Sequence, residues 1–223
     1  MFISGTDTGC GKTLVAESLL IALNKQGVKA VGMKPVAAGA QVTALGPVND
    51  DAVRLQTRSG VPLSYAEVNP YLFETPCSPN FAAAITGREI ELETIKAAFL
   101  RLSQHAEVVI VEGIGGWRVP LSERCYAGDI ARLLRAPVIF VAGLKLGCIN
   151  HALLSVEAIA GDGVPLKGWV ANHLDPDYGN GAETVDFLRS RINAPLLGVF
   201  PCSNNHSVSG DEMWENLDIS AVL

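Results

Sequence analysis

The stretch SGTDTGCGKTL, residues 4–14, places a glycine-rich turn between a short apolar start and a run typical of a helix. In such a turn, successive backbone N–H groups and the positive end of the helix face one point, where they bind phosphate oxygens. Lys12 would reach the β- and γ-phosphates of a nucleoside triphosphate, and the Thr13 hydroxyl would bind Mg²⁺. Gly5 and Gly11 enclose five residues, one more than the usual pattern, so a turn that merely joins strand to helix remains the alternative.

Apolar runs without polar alternation recur along the chain and indicate strands that are covered on both faces. These runs occupy residues 28–33, 107–111, 137–142, 166–172 and 196–200. Helix-like segments lie between them, at residues 12–27, 91–105, 129–135, 150–163 and 182–192. In the first, Leu14, Ala16, Leu19, Leu20 and Leu23 can share one face, and Gly27 can end the helix.

This alternation predicts an α/β fold, with a doubly wound, mostly parallel sheet flanked by helices and ligands bound at the carboxyl ends of the strands. Residues 37–92 are less regular, and we expect a helix with long loops over the site. No Pro/Gly/Ser-rich linker interrupts the chain, which predicts a single domain over residues 1–223.

The composition favours some classes of protein and disfavours others. Hydrophobic residues make up 48% of the chain, yet no apolar run is long enough for a membrane span, and no signal peptide is evident, so we expect a cytoplasmic protein. The net charge is −6 without a stripe of Lys and Arg, so we expect no nucleic-acid partner. The five cysteines lack a CxxC pair, which indicates reduced thiols.

Two acidic positions can complete a metal site beside the turn. Glu112 ends an apolar strand and precedes Gly113, so backbone can approach a ligand closely there. Asp51 follows Asp50 in NDDAVRLQ, where either residue can instead cap a helix. Mg²⁺ takes one or two carboxylates together with water and phosphate oxygens, which suits this sparse set.

Eight segments together resemble the dethiobiotin synthetases of biotin synthesis, in the order and with the spacing of that family. They are GTDTGCGKT (5–13), GMKPVAAG (32–39), NDDAVRLQ (49–56), VNPYLFETPCSP (68–79), VEGIGGWRVPL (111–121), KLGCINHALL (145–154), GWVANHL (168–174) and APLLGVFP (194–201). The resemblance implies a P-loop NTPase-like fold and a ligase. It also implies a reaction in which ATP and Mg²⁺ join CO₂ to the two amines of 7,8-diaminopelargonate, giving a ureido ring, ADP and phosphate.

The family's reaction passes through a carbamate that attacks the γ-phosphate and forms a carbamic-phosphoric anhydride. The resemblance assigns catalysis to Lys34 and Lys12, and metal binding to Thr13, Asp51 and Glu112. It implies a nucleotide site made of Gly9, Cys10, Gly11, Lys12, Thr13, Leu14, Asp51, Glu112, Gly113, Ile114, Gly115, Asn172, His173, Pro201, Cys202 and Ser203, with Asn172 reading the adenine. It implies a substrate site made of Thr8, Lys34, Leu146, Gly147 and Asn150, completed by the second subunit of a homodimer.

The chain departs from the family's pattern at two positions. Gly9 stands where the family often has glutamate, and Ala38 stands where it has serine. The serine hydroxyl is associated with the substrate, so its absence removes a hydrogen bond typically worth about 0.5–1.5 kcal/mol. The phosphate and metal groups are unaffected.

Several alternatives stay open at the level of sequence. A nucleotide-dependent switch ATPase would carry an extra lysine where this chain has Asp7, and an amidotransferase-type synthetase would need a further domain. A binding module that has lost the chemistry is the third alternative. Asn150 can be only an N-cap, and Cys148 and His151 are better explained as packing residues than as a nucleophile and a base.

Overall fold

The computed structural model describes residues 1–44, 46–202 and 209–223. Its first half comprises β1 (Phe2–Gly5), α1 (Lys12–Lys25), β2 (Ala30–Met33), β3 (Val36–Ala38), β4 (Gln41–Thr43), β5 (Gly46–Val48), α2 (Asp50–Arg58), α3 (Tyr65–Val68), β6 (Tyr71–Phe73), α4 (Pro79–Thr86) and α5 (Leu92–Leu102). Its second half comprises β7 (Val108–Glu112), α6 (Ala127–Leu134), β8 (Val138–Leu144), α7 (Cys148–Gly161), β9 (Leu166–His173), α8 (Gly181–Arg191), β10 (Leu196–Phe200), α9 (Gly210–Met213) and a 3₁₀ turn (Trp214–Asn216).

A parallel sheet forms the centre of the described chain, with six strands in the order β10-β9-β8-β1-β7-β2. From β1 the chain passes to the edge strand β2, returns through β7 and then continues on the other side of β1 through β8, β9 and β10, which confirms the predicted doubly wound α/β class. Each of the five predicted apolar runs overlaps one of these strands, and β7, β8 and β9 extend one or two residues beyond the predicted ends. The loop after β1 therefore lies at the carboxyl edge of the sheet, where such folds bind their ligands.

Each face of the sheet packs against helices, which explains why the strands show no polar alternation. Phe2, Phe140 and Trp169 belong to a core cluster with side chains of α5–α8. Their neighbours in sequence, including Ile3 and Ile139, point to the opposite face and belong to the cluster formed with α1, α2 and the C-terminal segment. Alternating side-chain direction along each strand thus supplies two cores.

Helix α1 is buried more completely than the sequence predicts. Residues 15–23 are all buried, so the expected single apolar face is wrong, and Leu14 is only half-buried. The helix lies between the sheet, α2 and α9, and each of these covers part of its surface. Its C-terminal end is as expected, since Gly27 follows the last turn with φ of 83°, a left-handed conformation that favours glycine.

The segment 37–92 is more ordered than the expected helix with loops. It contains helices α2, α3 and α4, the parallel pair β3–β6 and the antiparallel pair β4–β5. Short strands of three residues give little periodicity in sequence, which is why they were missed. The segment brings Asp51, Arg54 and the Pro76–Pro79 stretch to the carboxyl edge of the sheet.

None of the described helices has the length and apolar character needed to cross a membrane.

We expect Leu20→Ala to lower the free energy of unfolding by about 2–5 kcal/mol, because Leu20 is fully buried in α1 and truncation leaves a cavity. Leu100→Ala is the matched control, since Leu100 lies on α5 with 52% of its surface exposed, and its effect should stay within about 0.5 kcal/mol. Urea denaturation at neutral pH measures both. Equal losses for the two variants would contradict the packing described for α1.

Candidate active site

The loop between β1 and α1 presents the beginning of the helix to a cavity. Gly9 and Gly11 have φ of 77° and 98°, left-handed conformations that favour glycine. Gly11 is the N-cap residue, and no side chain caps the helix there. The N–H groups of the first turn are therefore available to an anion, as the sequence predicts.

Lys12 is buried and folds back over the loop. Its Nζ donates to the backbone oxygen of Asp7 at 2.8 Å and lies 3.8 Å from the Sγ of Cys10. A neutral carbonyl is a weaker partner for an ammonium group than an ionised phosphate oxygen. The side chain can therefore exchange this contact for a bound phosphate.

Lys34 follows the end of β2 and is buried between two carboxylates. Its Nζ lies 2.6 Å from Oε1 of Glu112 and 2.8 Å from Oδ2 of Asp51. The Nδ2 of Asn69 donates to the backbone oxygen of Lys34 at 2.6 Å. Strands β2 and β7 pair directly, so the adjacent ends of these two strands set the contact between Lys34 and Glu112.

Thr13 joins the same cluster. Its Oγ1 lies 2.8 Å from Oδ1 of Asp51 and 2.9 Å from Oε1 of Glu112, and the single hydroxyl proton can be donated to one of them at a time. Asp51 lies in the first turn of α2 behind the N-cap Asn49, so it does not cap the helix itself. The structure thus brings together the four residues Thr13, Lys34, Asp51 and Glu112.

Electrostatic interactions within the cluster shift three pKa values. Burial alone would lower the pKa of Lys34, but the attraction of Glu112 and Asp51 outweighs burial and raises it above its ordinary value. Burial raises the pKa of Glu112, against the opposing effect of Lys34. Burial also acts to raise the pKa of Asp51, but Lys34 and the hydrogen bond from Thr13 outweigh it, so this pKa is lowered. Lys34 is therefore held protonated.

The donor set of the cluster fits Mg²⁺. Two carboxylates and a hydroxyl are the hard oxygen ligands that this ion prefers, with the remaining positions left to water and phosphate. Oε2 of Glu112 is buried and lacks a hydrogen-bond partner among the described residues, so it is free to coordinate. Within the same residues no group of three or more His, Cys, Asp and Glu side chains suits a metal, so a site here would depend on Thr13 and the nucleotide.

A cavity of about 730 Å³ lies over the loop and this cluster. It is lined by the loop residues Thr8, Gly9, Gly11, Lys12, Thr13 and Leu14, and by Lys34, Asp51, Glu112, Ile114 and Gly115. Ala38 also lines it, which puts the departure from the family's serine at the cavity wall. Sequence reasoning missed Arg54, Asn49 and residues 76–79 in this lining. The spacing of Arg54 three residues after Asp51 on one helix was the available signal.

The residues expected around the adenine lie on the neighbouring strands. Asn172 is buried at the end of β9, and its Nδ2 donates to the backbone oxygen of Cys10 at 3.0 Å. A Cβ atom on Gly11 would lie 2.1 Å from that nitrogen, so Asn172 and the loop fit closely together. His173 follows Asn172 in β9, and Pro201 and Cys202 follow β10, outside the cavity lining described above. Ser203 lies outside the described residues.

The segment expected to hold the far end of the substrate begins α7. Helix α7 starts at Cys148 with Gly147 as its N-cap, so Asn150 lies in the first turn and the N-cap alternative for it is wrong. Leu146 is 89% exposed, and the lining of the cavity includes neither it nor Gly147 nor Asn150. Cys148 is buried in the core, as expected for a packing residue. His151 is half-exposed, and its Nδ1 lies 3.7 Å from Oδ2 of Asp7.

Gly113, expected in the nucleotide site, lies beside Lys34. Its backbone oxygen is 3.5 Å from the Nζ of Lys34.

The whole chain is similar to known proteins. A family model described as "AAA domain" matches residues 1–209. The ATP-dependent dethiobiotin synthetase BioD of Aromatoleum aromaticum is 52% identical over 200 residues, which cover 90% of this chain and 89% of that protein. The protein of the same name from Cellvibrio japonicus is 47% identical over 223 residues, which cover 100% of this chain and 96% of the relative.

Solved structures share the fold at low sequence identity. A ParA family ATPase from Chlorobium tepidum aligns with a TM-score of 0.55 and 15% identity, covering 91% of this chain and 85% of that one. The signal recognition particle receptor FtsY from Elizabethkingia anophelis aligns with a TM-score of 0.53 and 17% identity, covering 96% of this chain and 63% of the receptor. This chain therefore spans less than two thirds of the receptor. At such low sequence identity, both similarities show a shared fold and nothing more.

We expect Lys34→Met to lower the free energy of unfolding at pH 8 by about 3–5 kcal/mol, because it leaves Glu112 buried without its cation. The double variant Lys34→Met/Glu112→Leu should recover most of that loss. Lys96→Met is the control, since Lys96 forms an exposed pair with Glu93 and its loss should stay below about 1 kcal/mol. Urea denaturation measures all three, and a double variant as unstable as the single one would contradict the buried pair.

The same measurement has a defined pH dependence. The pKa of Lys34 is raised by folding, so its contribution is fully present below the ordinary lysine value of 10.5 and is lost as pH rises through the folded-state pKa. Measured against Lys34→Met/Glu112→Leu, in which no unpaired Glu112 titrates, the contribution of Lys34 to stability should therefore be constant from about pH 8 to pH 9.5 and fall above pH 10.5. A contribution that grows in that range would contradict the direction of the shift.

Proposed function

Because this chain belongs to the family of ATP-dependent dethiobiotin synthetases, and is thus a ligase of biotin biosynthesis, we propose that it makes dethiobiotin from 7,8-diaminopelargonate and CO₂. ATP is the second substrate, and ADP and phosphate are the other products. We take residues 1–223 as one catalytic domain that acts in the cytoplasm. One observation supports this proposal most directly: Lys34 is buried next to the phosphate loop, in contact with Asp51 and Glu112, which also contact Thr13.

The loop binds the phosphate chain of ATP. The backbone N–H groups from Gly9 to Leu14 and the positive end of α1 face the β- and γ-phosphates. Lys12 releases the backbone oxygen of Asp7 and donates to the phosphate oxygens instead. Its charge then lies where negative charge grows as the γ-phosphoryl group is transferred.

Lys34 acts on the other side of the γ-phosphate. One amine of the substrate has reacted with CO₂ to a carbamate, and a carbamate oxygen attacks the γ-phosphorus while the bond to the β-phosphate oxygen breaks. Lys34 neutralises charge on the carbamate and on the transferring group, which requires the protonated state that Glu112 and Asp51 maintain. The second amine then attacks the carbonyl carbon of the anhydride, phosphate leaves and the ring closes.

Thr13, Asp51 and Glu112 would hold Mg²⁺. When bound, the ion would offset negative charge on the phosphate oxygens. In the structure, the ammonium of Lys34 contacts both carboxylates, so the cluster already accommodates positive charge between them. Asn172, together with His173, Pro201, Cys202 and Ser203, would form the adenine pocket.

A second copy of the chain would complete the substrate site. Leu146 is exposed, and neither it nor Gly147 nor Asn150 lines the cavity of its own chain. In the proposed homodimer, Gly147 and Asn150 of one subunit bind the substrate's carboxylate at the helix N-terminus, while Thr8 and Lys34 of the other act on its amines. The exposed apolar residues Leu146 and Leu154 suit such an interface.

The proposal is tested with purified protein, Mg²⁺-ATP and bicarbonate, with and without the diamine. We expect ADP release that depends on the diamine and equals the dethiobiotin detected by mass spectrometry. ADP release that is indifferent to the diamine would indicate a switch ATPase, and the absence of any turnover would indicate an inactive binding module.

Lys34→Ala should reduce kcat by at least about a hundredfold while the affinity for ATP changes severalfold at most, because Lys34 stabilises charge that develops during transfer. Calorimetry measures the affinity and the coupled assay measures kcat. Lys96→Ala, at an exposed lysine, is the control and should leave both unchanged. An unaffected kcat in Lys34→Ala would contradict the role given to this residue.

Ala38→Ser restores the hydroxyl that the family carries at the cavity wall. We expect KM for the diamine to fall about two- to tenfold, as one added hydrogen bond allows, with KM for ATP unchanged. Ala40→Ser, two residues farther along the chain and outside the cavity lining, is the matched control. A rise in KM for the diamine would indicate that another group already serves the substrate there.

A further inference from the structure

The pair formed by Glu17 and Arg54 lies beside the phosphate loop and has no role in the reaction described above. Glu17 belongs to α1, four residues beyond Thr13, and Arg54 belongs to α2, three residues beyond Asp51. Residues that are three or four positions apart lie on the same face of a helix, about one turn from each other. The pair therefore repeats, one turn farther along both helices, the contact that Thr13 makes with Asp51.

The two members of the pair differ in their exposure to the cavity. The side chain of Glu17 is 3% exposed, whereas that of Arg54 is 38% exposed and lines the cavity together with Thr13 and Leu14. A buried carboxylate requires a cation beside it, and this pairing keeps the cation in one position. Arg54 Nη2 donates to Glu17 from the cavity side, and Arg58 Nε approaches the other carboxylate oxygen at 3.8 Å.

Arg54 differs from Lys34 in the position of the carboxylate that neutralises it. Within the described lining, Lys34 is paired with Asp51 and Glu112, which line the same cavity. The partner of Arg54 lies behind it and is not part of the lining. A guanidinium has five N–H donors, so Arg54 can hold Glu17 and still donate to a ligand.

We propose that Arg54 is a further binding residue for the phosphate chain of ATP, and that Glu17 is the positioning residue that aims its guanidinium into the cavity. This inference rests on the proposed use of ATP at this site. Arg54 lies one helical turn beyond Asp51, and its guanidinium lines the same cavity as the phosphate loop. It therefore binds oxygens of the phosphate chain and makes no contact with the carbamate.

Calorimetric titration of the full chain with ADP, a non-hydrolysable ATP analogue and adenosine, all with Mg²⁺, tests the proposal. Arg54→Gln should weaken binding of ADP and the analogue by about five- to tenfold, as loss of one charge-assisted hydrogen bond allows, and leave adenosine unaffected. Arg54→Lys should give an intermediate loss and serves as the second variant if Arg54→Gln does not fold. Arg58→Gln is the matched control, because Arg58 also approaches Glu17 but does not line the cavity.

A double-mutant cycle separates positioning from support of the fold. Glu17→Gln should weaken ADP binding in the wild-type background and have no further effect in the Arg54→Gln background. Equal effects of Arg54→Gln and Arg58→Gln, or an equal loss for adenosine, would overturn the proposal. These readouts do not involve the diamine, so a chain that shows the Arg54 dependence but makes no dethiobiotin would overturn the proposed function and leave this inference standing.

Discussion

The buried ammonium of Lys34 is the interaction on which the site depends. It lies between Glu112 at the end of β7 and Asp51 in the first turn of α2, so one side chain joins two strands and a helix that are distant in sequence. The buried carboxylate of Glu112 could not remain ionised without it, because removing such a charge from water costs on the order of several kcal/mol. The charges that we propose for the reaction are therefore also the charges that hold the carboxyl edge of the sheet together.

The surrounding fold makes this cluster possible. Apolar side chains and helices cover both faces of the sheet. Polar side chains therefore lie at the strand ends, where loops and helix N-termini offer hydrogen-bond partners. The backbone oxygen of Lys34 is held by Asn69, and the phosphate loop is held by Asn172 through the oxygen of Cys10. Short polar contacts of this kind fix the position of Lys34 and of the loop before any ligand binds, which is what pre-organisation for phosphoryl transfer requires.

Lys12 is held less firmly than Lys34. Its contact with the oxygen of Asp7 is to a neutral group within its own loop, so little electrostatic energy opposes its movement toward phosphate. Lys34 has no such freedom, since both of its partners are carboxylates that lie within 3 Å of its Nζ. In the proposed reaction, Lys12 would therefore move with the nucleotide, and Lys34 would fix the place where the nucleotide and the carbamate meet.

The sequence by itself determined the strands of the central sheet, the loop from Gly5 to Gly11 and the placement of Lys12 and Thr13 behind it. These features depend on contiguous residues, because hydrophobic runs and glycines act on the local backbone. The position of Glu112 was also predictable, since it ends an apolar strand. Only the tertiary structure decided that α1 is buried all round, that Arg54 and Ala38 line the cavity and that Asn172 holds the loop. Those contacts join residues far apart in the chain, and their geometry follows from how the helices and strands pack, which local patterns do not encode.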